Sequence, residues 1–487
     1  MSQATFSFAT LAPALPEILL LVLTSALLLI DAFLSERDRH ITYWLAQVTL
    51  VGTAVLTGLM LATSSASVVT FNGMFVYDMM SQVLKIATLL TVAATLMLGR
   101  TYLELRGLLK GEFVTLALFG TLGMMVMISA HNFITLFLGL ELMALSQYSI
   151  VALQRDSVRA TEAAMKYFVL GALSSGLLLY GMSMIYGATG SLDITRVALA
   201  LERGNAAMPI LGAFGLVFVV AGVAFKLGNA PFHMWIPDVY HGAATPTTVL
   251  IGGAPKLAAF AFIMRLLAHG LQAMSPDWQQ MLVILAIASM LLGNVVAIAQ
   301  SNLKRMLAYS TISHMGFLVL GILSATETGY GASMFYAIAY TIMTLGSFGM
   351  ILLLSRAGFE AENLDDFRGL NQRSKWFAFV MLVMMFSLTG LPPTMGFFAK
   401  LFVLQAVLDA GYTWLVVVAV LLSVVGAFYY LRVVKIMYMD APVGEMTFDP
   451  RADTRWMLSA TAVATLFFGL LPGPLLDLCA RAITASL

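Results

Sequence analysis

Ionisable side chains stand inside long apolar runs of this sequence, where such groups are costly. The basic ones are almost all lysines: Lys85, Lys166, Lys226, Lys256 and Lys400. A lysine in hydrocarbon costs about 3 kcal/mol even on lenient insertion scales. A desolvated lysine releases its proton readily, whereas arginine keeps its charge. This row of lysines indicates that protons or ions are handled inside a membrane.

Two of the lysines lie beside proline breaks. Lys226 precedes Pro231 by five residues, and Lys400 follows the pair Pro392-Pro393. Interrupted helices at corresponding positions of two halves are the best sequence indication of a transporter's binding site. Two unrelated kinks are the alternative, because prolines are common in membrane helices. The lysine beside each break favours the functional interpretation.

A carboxylate, Glu141, stands in the middle of another apolar run. It must be protonated, hydrated or paired with a cation from a different helix, and Lys226 is the natural partner. A structural salt bridge is the alternative. Glu162 and Lys166 are four residues apart, so they face each other on one side of a helix. For that pair a structural and a functional role are equally open.

The remaining candidates differ in their surroundings. Lys256 follows the run 252–255, whose small residues and proline admit a neighbouring helix or water. His314 has hydroxyl neighbours and can pass a proton between its two ring nitrogens, although a packing histidine is equally open. Lys85 has no break beside it, which favours a structural or interface role.

Several other kinds of site are excluded. The single cysteine, Cys479, excludes intrachain disulfides and cysteine-held iron–sulfur clusters, and His233 and His241 lack metal-ligand spacing. No nucleotide-binding loop or Ser–His–Asp arrangement is present. The net charge of +1 argues against nucleic acid as a partner. We therefore expect no cofactor or metal in this chain.

These residues must be positioned by helices in a bilayer. The chain has 487 residues, of which 60% are hydrophobic and 10% charged, and its mean hydropathy is +0.91. Apolar runs of about twenty residues match the thickness of a hydrocarbon core. The prediction is an all-α polytopic membrane protein with one membrane domain and about fourteen spans. They cover 15–33, 41–61, 75–98, 112–129, 133–153, 161–186, 208–229, 243–267, 278–300, 303–323, 330–354, 376–408, 414–439 and 455–476.

The short loops carry their basic residues on alternate sides, which predicts the orientation. With the N-terminus outside, the inner loops contain Arg37, Arg39, Arg100, Arg106, Lys110, Arg155, Arg159, Lys304, Arg305, Arg356, Arg368, Arg373, Lys375, Arg451 and Arg455. The outer loops contain only Arg196 and Arg203. Both termini are therefore expected on the outer side, and 15–33 is expected to be a retained helix.

Two motifs resemble a known family. FKLGNAPFHMWIPDVY at 225–240 and TGLPPTMGFFAK at 389–400 are similar to signatures of the antiporter-like membrane subunits of respiratory complex I. The run GGAPK at 252–256, and an end soon after the last span without a long lateral helix, resemble the subunit N branch of that family. The resemblance covers nearly the whole chain.

This resemblance implies a proton-translocating module with two inverted five-helix repeats and broken helices seven and twelve. The parts would be an N-terminal region 1–111, repeats 112–268 and 278–440, and a C-terminal helix and tail 455–487. Glu141 and Lys226 would form a coupled pair, Lys256 would be central and Lys400 terminal. His314 would bridge, and Glu162 with Lys166 would be accessory.

The resemblance also implies a setting and a mechanism. The setting is a bacterial inner membrane, with other membrane and peripheral subunits that would hold NADH, FMN, iron–sulfur clusters and quinone. Glu141 close to Lys226 would favour the charged lysine, and its withdrawal would favour proton release towards Lys256 and Lys400. The alternatives are a subunit of a multisubunit cation/proton antiporter, a membrane-bound hydrogenase subunit, or a structural scaffold.

Overall fold

The computed structural model describes residues 8–35, 38–64, 66–204, 208–442 and 451–487. Arg37, one of the basic loop residues named above, lies outside these ranges. The described chain is almost entirely helical, because only helices and closed barrels satisfy every backbone group in hydrocarbon. Polar side chains cap many helix starts, such as Asp78, which accepts from the backbone N–H of Ser81 at 2.8 Å. The all-α membrane fold predicted from the sequence is confirmed.

The helices of the first half are α1 (Phe8–Leu11), α2 (Leu15–Phe33), α3 (Arg39–Thr63), α4 (Met79–Leu105), α5 (Gly111–Ile128), α6 (Phe133–Val151), α7 (Val158–Thr189), α8 (Ile194–Glu202), α9 (Pro209–Leu227), α10 (Trp235–Gly242), α11 (Thr245–Gly252) and α12 (Ala254–Ile263). A π-helical turn, Met264–Gly270, continues α12. Two short antiparallel strands, β1 (Val68–Thr70) and β2 (Phe75–Tyr77), precede α4.

The helices of the second half are α13 (Ser275–Ile298), α14 (Leu303–Leu323), α15 (Glu327–Leu354), α16 (Leu370–Arg373), α17 (Lys375–Thr389), α18 (Met395–Asp409), α19 (Thr413–Met439), α20 (Ala452–Leu470) and α21 (Gly473–Thr484). Short 3₁₀ turns lie at Ala12–Ala14, Phe71–Gly73, Gln272–Met274 and Leu364–Phe367.

The number of spans is close to the predicted one. In the described ranges, 12 helices are long and apolar enough to cross a membrane, or 13 when the bent pair α20 and α21 counts as one. The predicted span 376–408 is divided between α17 and α18, each of 15 residues. The predicted span 455–476 ends at Leu470, where α21 turns away by 82°. The last part of the chain is thus a short helix at an angle to the bundle.

The centre of the bundle is formed by α11, α12, α14 and α15, whose residues are almost all buried. By contrast, α2, α3 and α19 expose large apolar side chains, as expected of helices that face lipid. Glycines allow close helix pairs: a Cβ on Gly139 of α6 would lie 2.6 Å from the backbone nitrogen of Met127 in α5. The central helices carry the polar groups described next.

The bundle has two end faces, each defined by the residues that it carries. The basic face is the end that carries Arg159, Lys304 and Arg305 at the starts of α7 and α14. The opposite face is the end that carries the β1–β2 hairpin, α8 and the start of α15.

Lys85 has a structural partner. Its Nζ lies 2.6 Å from Oε1 of Glu17 in α2, and both side chains are nearly inaccessible. The pair joins the N-terminal helix to α4. This agrees with the structural role that the sequence favours for Lys85, although Glu17 could not be identified as its partner.

Candidate functional site

The first break begins where α9 ends. Gly228 adopts φ 86°, the left-handed conformation that glycine tolerates best, and its N–H and that of Asn229 both donate to the carbonyl of Ala224 at 2.8 Å. The chain then passes Pro231 and becomes helical again at Trp235. The carbonyl groups at the end of α9 are therefore free to bind another partner.

Lys256 is that partner. It lies in the first turn of α12, after the break at Gly253, and only 1% of it is exposed. Its Nζ donates to the carbonyl of Leu227 at 2.7 Å and to that of Lys226 at 3.4 Å. The partial negative charge at the C-terminus of a helix favours a cation at this point. The broken helix thus provides a binding site for a buried ammonium group.

Lys226 lies beside the same break. Its Nζ is 3.5 Å from Oγ of Ser175 on α7. A cavity of about 20 Å³ touches both Lys226 and Lys256, with Gln147 and Tyr167 in its wall. That volume holds about one water molecule. The two lysines are therefore connected by a space in which water could carry a proton between them.

Glu141 does not touch Lys226 in this structure. Among the described residues, no nitrogen–oxygen pair within 4.0 Å joins them, but the two side chains still interact electrostatically, and Oε1 of Glu141 is buried without a hydrogen-bond partner. Glu141 is half-buried in α6, opposite the tightly packed α5. The direct pair considered from the sequence is absent, and Glu141 retains an unused acceptor.

A surface network links Glu162 and Lys166 to the basic face. Lys166 lies 2.8 Å from Glu162 and 2.8 Å from Asp238, while Arg305 lies 2.9 Å from the other oxygen of Asp238. Burial raises the pKa of Asp238, but hydrogen bonds from Lys166 and Arg305 outweigh it and hold the pKa below the ordinary value. The facing arrangement of Glu162 and Lys166 is observed, with Asp238 as an additional partner.

A second acidic cluster lies nearby and includes a lysine that looked like a loop residue. Lys304 is only 1% exposed; it donates to the carbonyl of Ala243 at 2.8 Å and lies 3.6 Å from Glu360. Glu360 also accepts from Tyr102 at 2.6 Å and from Thr245. Lys304 is therefore a buried residue of α14, which corrects its assignment to an inner loop.

Glu362 belongs to the same cluster. Arg159 lies 3.0 Å from its carboxylate and His241 lies 3.7 Å from it. Burial raises the pKa of Glu362, but the hydrogen bonds from His241 and Arg159 prevail and lower it to about 2. His241 thus lies beside both Glu362 and Arg159 at the basic face, with its Nε2 3.1 Å from Nη1 of Arg159.

In the second half, His314 is held by two tyrosines. Its Nδ1 is 2.6 Å from the hydroxyl of Tyr336, and its Nε2 is 3.0 Å from that of Tyr430. Tyr430 also bonds to Ser310. His314 is 3% exposed, so it sits in a buried chain of hydroxyl groups that alternate donor and acceptor.

Lys400 occupies the end of the second broken helix. Gly390, with φ 88°, ends α17, and Nζ of Lys400 donates to the carbonyl of Thr389 at 2.8 Å and to Oγ of Ser423 at 2.8 Å. The ring of Phe317 lies 5.0 Å from the same nitrogen. Lys400 thus fills the same kind of helix-end site as Lys256.

Comparison with known proteins decides the family. The family described as NADH:quinone oxidoreductase/Mrp antiporter, TM, matches residues 130–426. Subunit N of NADH-quinone oxidoreductase is 59% identical over 476 residues in Thiobacillus denitrificans and 56% identical over 475 in Nitrosomonas europaea, with 98% of both chains covered in each case. The chain belongs to this family. The resemblance to subunit N that the motifs indicate is confirmed.

Solved structures share the fold of this family member. A chain of respiratory complex I from Thermus thermophilus with bound aureothin is 31% identical, with a TM-score of 0.80 over 96% of this chain and 99% of that one. A chain of the Mrp complex from Dietzia sp. has a TM-score of 0.83 at 23% identity over 96% of this chain and 97% of that one, which shows the common fold. The chain is a multi-span membrane protein of a complex I subunit family.

The structure brings together some of the predicted residues of this family member and separates others. Lys226 and Lys256 share one cavity. The ring of Phe317 lies 5.0 Å from Nζ of Lys400 and stacks on Tyr336, the tyrosine that bonds to His314. Asp238, Lys304, Glu360 and Glu362 were missed as site residues. Only Asp238 gave a sequence signal, since it lies in the first motif. No group of three or more metal-ligating side chains occurs in the described ranges.

Proposed function

We propose that this chain is the subunit N of a proton-translocating NADH–quinone oxidoreductase, in which quinone reduction elsewhere drives proton transfer along its buried lysines. The observation that carries the proposal is the pair of ammonium groups, Lys256 and Lys400, each bound to a carbonyl at the end of a broken helix. An amine that is desolvated yet held by a helix end can exist charged or neutral at modest cost.

In this mechanism, protons enter from the basic face and pass Lys226, Lys256 and Lys400 in turn. The one-water cavity between Lys226 and Lys256 supports the first transfer, and the hydroxyl chain around His314 supports the next. Glu141 controls loading by approaching Lys226, because its free acceptor can move to the lysine. Moving one charge against about 100 mV requires roughly 2.3 kcal/mol, which the redox subunits supply.

The orientation and the repeats are part of the proposal. The basic face is the inner side of a bacterial plasma membrane, and both termini lie outside. The basic residues at the starts of α7 and α14 support this orientation. The repeats cover 112–268 and 278–440, between an N-terminal region 1–111 and a C-terminal part 455–487. A glycine followed three positions later by proline in both Gly228–Pro231 and Gly390–Pro393 supports them.

The partners in this proposal are the other membrane subunits and the peripheral arm of the complex. Those partners bind NADH, FMN, iron–sulfur clusters and quinone, whereas this chain provides the proton path. Glu162 and Lys166 are accessory, because they lie exposed at the basic face and connect to Asp238.

The test is to replace Lys226 or Glu141 by alanine in the assembled complex and to measure proton pumping beside NADH oxidation. We expect fewer protons per NADH in both variants. Lys435→Ala is the matched control, because that lysine is exposed and pairs with Asp440 at 2.9 Å. Normal pumping by fully assembled Lys226→Ala and Glu141→Ala complexes would refute the proposal.

The shared fold of the Mrp complex chain makes a cation/proton antiporter subunit the second candidate. Identity of 23% to that chain, against 59% to subunit N, favours the first. Copurification separates the two: redox subunits support the oxidoreductase, and sodium-dependent transport without them supports the antiporter.

A further inference from the structure

A polar cavity of about 500 Å³ opens near the opposite face, away from the basic residues. Its wall includes the start of α4, the α5–α6 turn, α8, the π-helical turn and the C-terminal residues Ser486 and Leu487. Glu202 and Glu327 line it, and Glu202 is exposed. A cavity of this size and polarity holds many water molecules. None of the proton-transfer residues discussed above lines it.

A charged cluster lines this cavity. Arg265 and Asp78 are each 1% exposed and lie 2.7 Å apart, and Arg265 also donates to the carbonyl of Ile128 at 3.3 Å. Their opposite charges cancel, so the desolvation cost of burying each group is offset only when the other is present. The sequence alone could not reveal this pair, because the two residues are 187 positions apart.

Two histidines beside the pair have unused ring nitrogens. Nδ1 of His131 and Nε2 of His269 are buried without a hydrogen-bond partner in the protein. Nη1 of Arg265 lies 3.4 Å from Nδ1 of His269, so Nε2 of the neutral ring is an N–H donor. Nε2 of His131 is 2.9 Å from the hydroxyl of Thr195, which lets Nδ1 accept. The two residues line the cavity, and each keeps one buried ring nitrogen without a protein partner, an acceptor in His131 and a donor in His269.

The helix that carries Lys256 also leads to this cavity. The small cavity at Lys256 extends to Met127 and Phe262. Arg265 follows Phe262 by one helical turn, and the carbonyl it binds belongs to Ile128, next to Met127. The gap between the two cavities is thus about one turn, closed by Met127 and Phe262. The π-helical turn starts just beyond it, and such turns are frequent at functional sites.

We propose that this cavity is an outward proton exit from Lys256, gated by Met127 and Phe262 and relayed by His131. The inference rests on the proposed function and adds a route that bypasses Lys400. The ammonium of Lys256 loses a proton to water in the opened gap and becomes a neutral amine. The proton reaches Nδ1 of His131, then cavity water, and Lys256 is reloaded from Lys226.

The experiment blocks the cavity in the assembled complex. Ala198 lines the cavity wall, so Ala198→Cys is labelled on intact cells with a membrane-impermeant cationic methanethiosulfonate. Inverted vesicles are then prepared, and protons pumped per NADH are measured. We expect labelling to lower this ratio part of the way towards the value of a Lys256→Met complex, because the route through Lys400 stays open. The unsubstituted chain, whose only cysteine is the buried Cys479, corrects for labelling elsewhere.

Ala273→Cys is the matched control, because Ala273 is exposed nearby but does not line the cavity. Labelling there leaves the ratio unchanged. A labelled Ala198→Cys complex with an unaltered ratio overturns the exit, and so does a cysteine that cannot be labelled from outside. In either case a low ratio for Lys256→Met still upholds the proposed function.

His131→Leu gives a second measurement that does not depend on a reagent. Its Nδ1 makes no hydrogen bond within the described protein, so the substitution removes the relay with little loss of packing. We expect a lower ratio in His131→Leu and partial recovery in His131→Gln, which keeps a polar group. Equal, normal ratios in both variants contradict the relay.

Discussion

The two broken helices of this protein have the same backbone conformation at the break but differ in the charges around it. Both α9 and α17 end at a glycine with nearly the same positive φ, 86° and 88°, and both receive a lysine ammonium on the carbonyls that the break frees. At the first break that lysine comes from α12, the third helix after α9. At the second it comes from α18, the continuation of the broken helix itself.

The side chains around each break show a different distribution of charge. Lys226 lies two residues before Gly228, and Asp238 lies ten after it. The corresponding positions around Gly390 are Leu388 and Lys400. The first half thus has a cation before the break and an anion after it, whereas the second has one cation after it.

The neighbours of each site follow the same division. In the first half, Glu141 acts on Lys226 from α6, and three further carboxylates lie towards the basic face: Asp238, Glu360 and Glu362. Hydroxyl groups and one imidazole surround the second, since α14 has no acidic residue and α15 has only Glu327 in its first turn. The end of the helix therefore determines where an ammonium group binds, and the surrounding groups determine how that lysine receives its proton.

The largest expected effect tests whether the two helix ends are equivalent. Lys256→Met removes the ammonium on which both routes depend and leaves carbonyls unpaired, so we expect pumping to fall about tenfold or more, equivalent to a barrier increase of about 1.4 kcal/mol. Lys400→Met leaves the exit from Lys256 open, so we expect a smaller fall. Lys435→Met serves as the control. Proton flux is measured beside NADH oxidation. A loss of pumping at only one of the two sites would show that the two helix ends are not equivalent.

The next effect tests the glycines. Gly228→Ala forces a Cβ into the left-handed region, at about 1–2 kcal/mol, and into the side chain of Ile236. Gly390→Ala brings the Cβ to 2.9 Å from Cδ of Lys400. We expect lower thermal stability in both and lower pumping in Gly390→Ala. Gly190→Ala has φ 72° but open space, so it isolates the backbone cost.

If Gly228→Ala and Gly190→Ala destabilise the purified protein equally, the contact with Ile236 has no energetic weight. The first break would then be less tightly packed than the second.

A smaller effect tests the hydroxyl chain. Tyr430→Phe leaves Nε2 of His314 unpaired, which costs about 1–3 kcal/mol for a buried polar group. We expect Tyr430→Phe to slow pumping without altering the first half of the chain. A Lys226 variant combined with Tyr430→Phe should then lower pumping little further. Tyr438→Phe, on the same helix α19 near its end, is the control. Unchanged pumping by Tyr430→Phe would show that the second site does not use this tyrosine.

The smallest effect concerns acid stability at the basic face. The pKa of Glu362 is lowered from 4.5 to about 2 in the fold, so its stabilising contribution is complete above pH 4.5 and is lost as the pH falls towards 2. Glu362→Gln should lower the melting temperature at pH 7 and flatten its dependence between pH 5 and 3. Glu112→Gln, at an exposed position, should do neither. Parallel curves for Glu362→Gln and the original protein would exclude the ion pair as the cause.

The sequence predicted the helical fold and the residues around the two helix breaks, because both depend on short stretches of the chain. The apolar run before Gly228 and the proline after it determine where α9 ends, whatever the rest of the chain does. The lysines Lys226, Lys256 and Lys400 were recognisable because a charge in an apolar run is conspicuous by itself.

The pairings could not be predicted, because they join residues far apart in the chain. Lys304 meets Glu360 after 56 positions and Asp78 meets Arg265 after 187, so only packing decides them. Charge counting placed Lys304 correctly on the basic face but missed its burial. The absent contact between Glu141 and Lys226 has the same origin, since it depends on how α6 and α9 are spaced.

The ion pair between Glu17 and Lys85 constrains how the protein is made. Alone in a bilayer, α4 would carry an uncancelled lysine, at about 3 kcal/mol. Because α2 is synthesised before α4, the carboxylate of Glu17 is already in the membrane when Lys85 is inserted. The two helices can then leave the insertion machinery as a neutral pair. We therefore expect α2 to be needed for the insertion of α4.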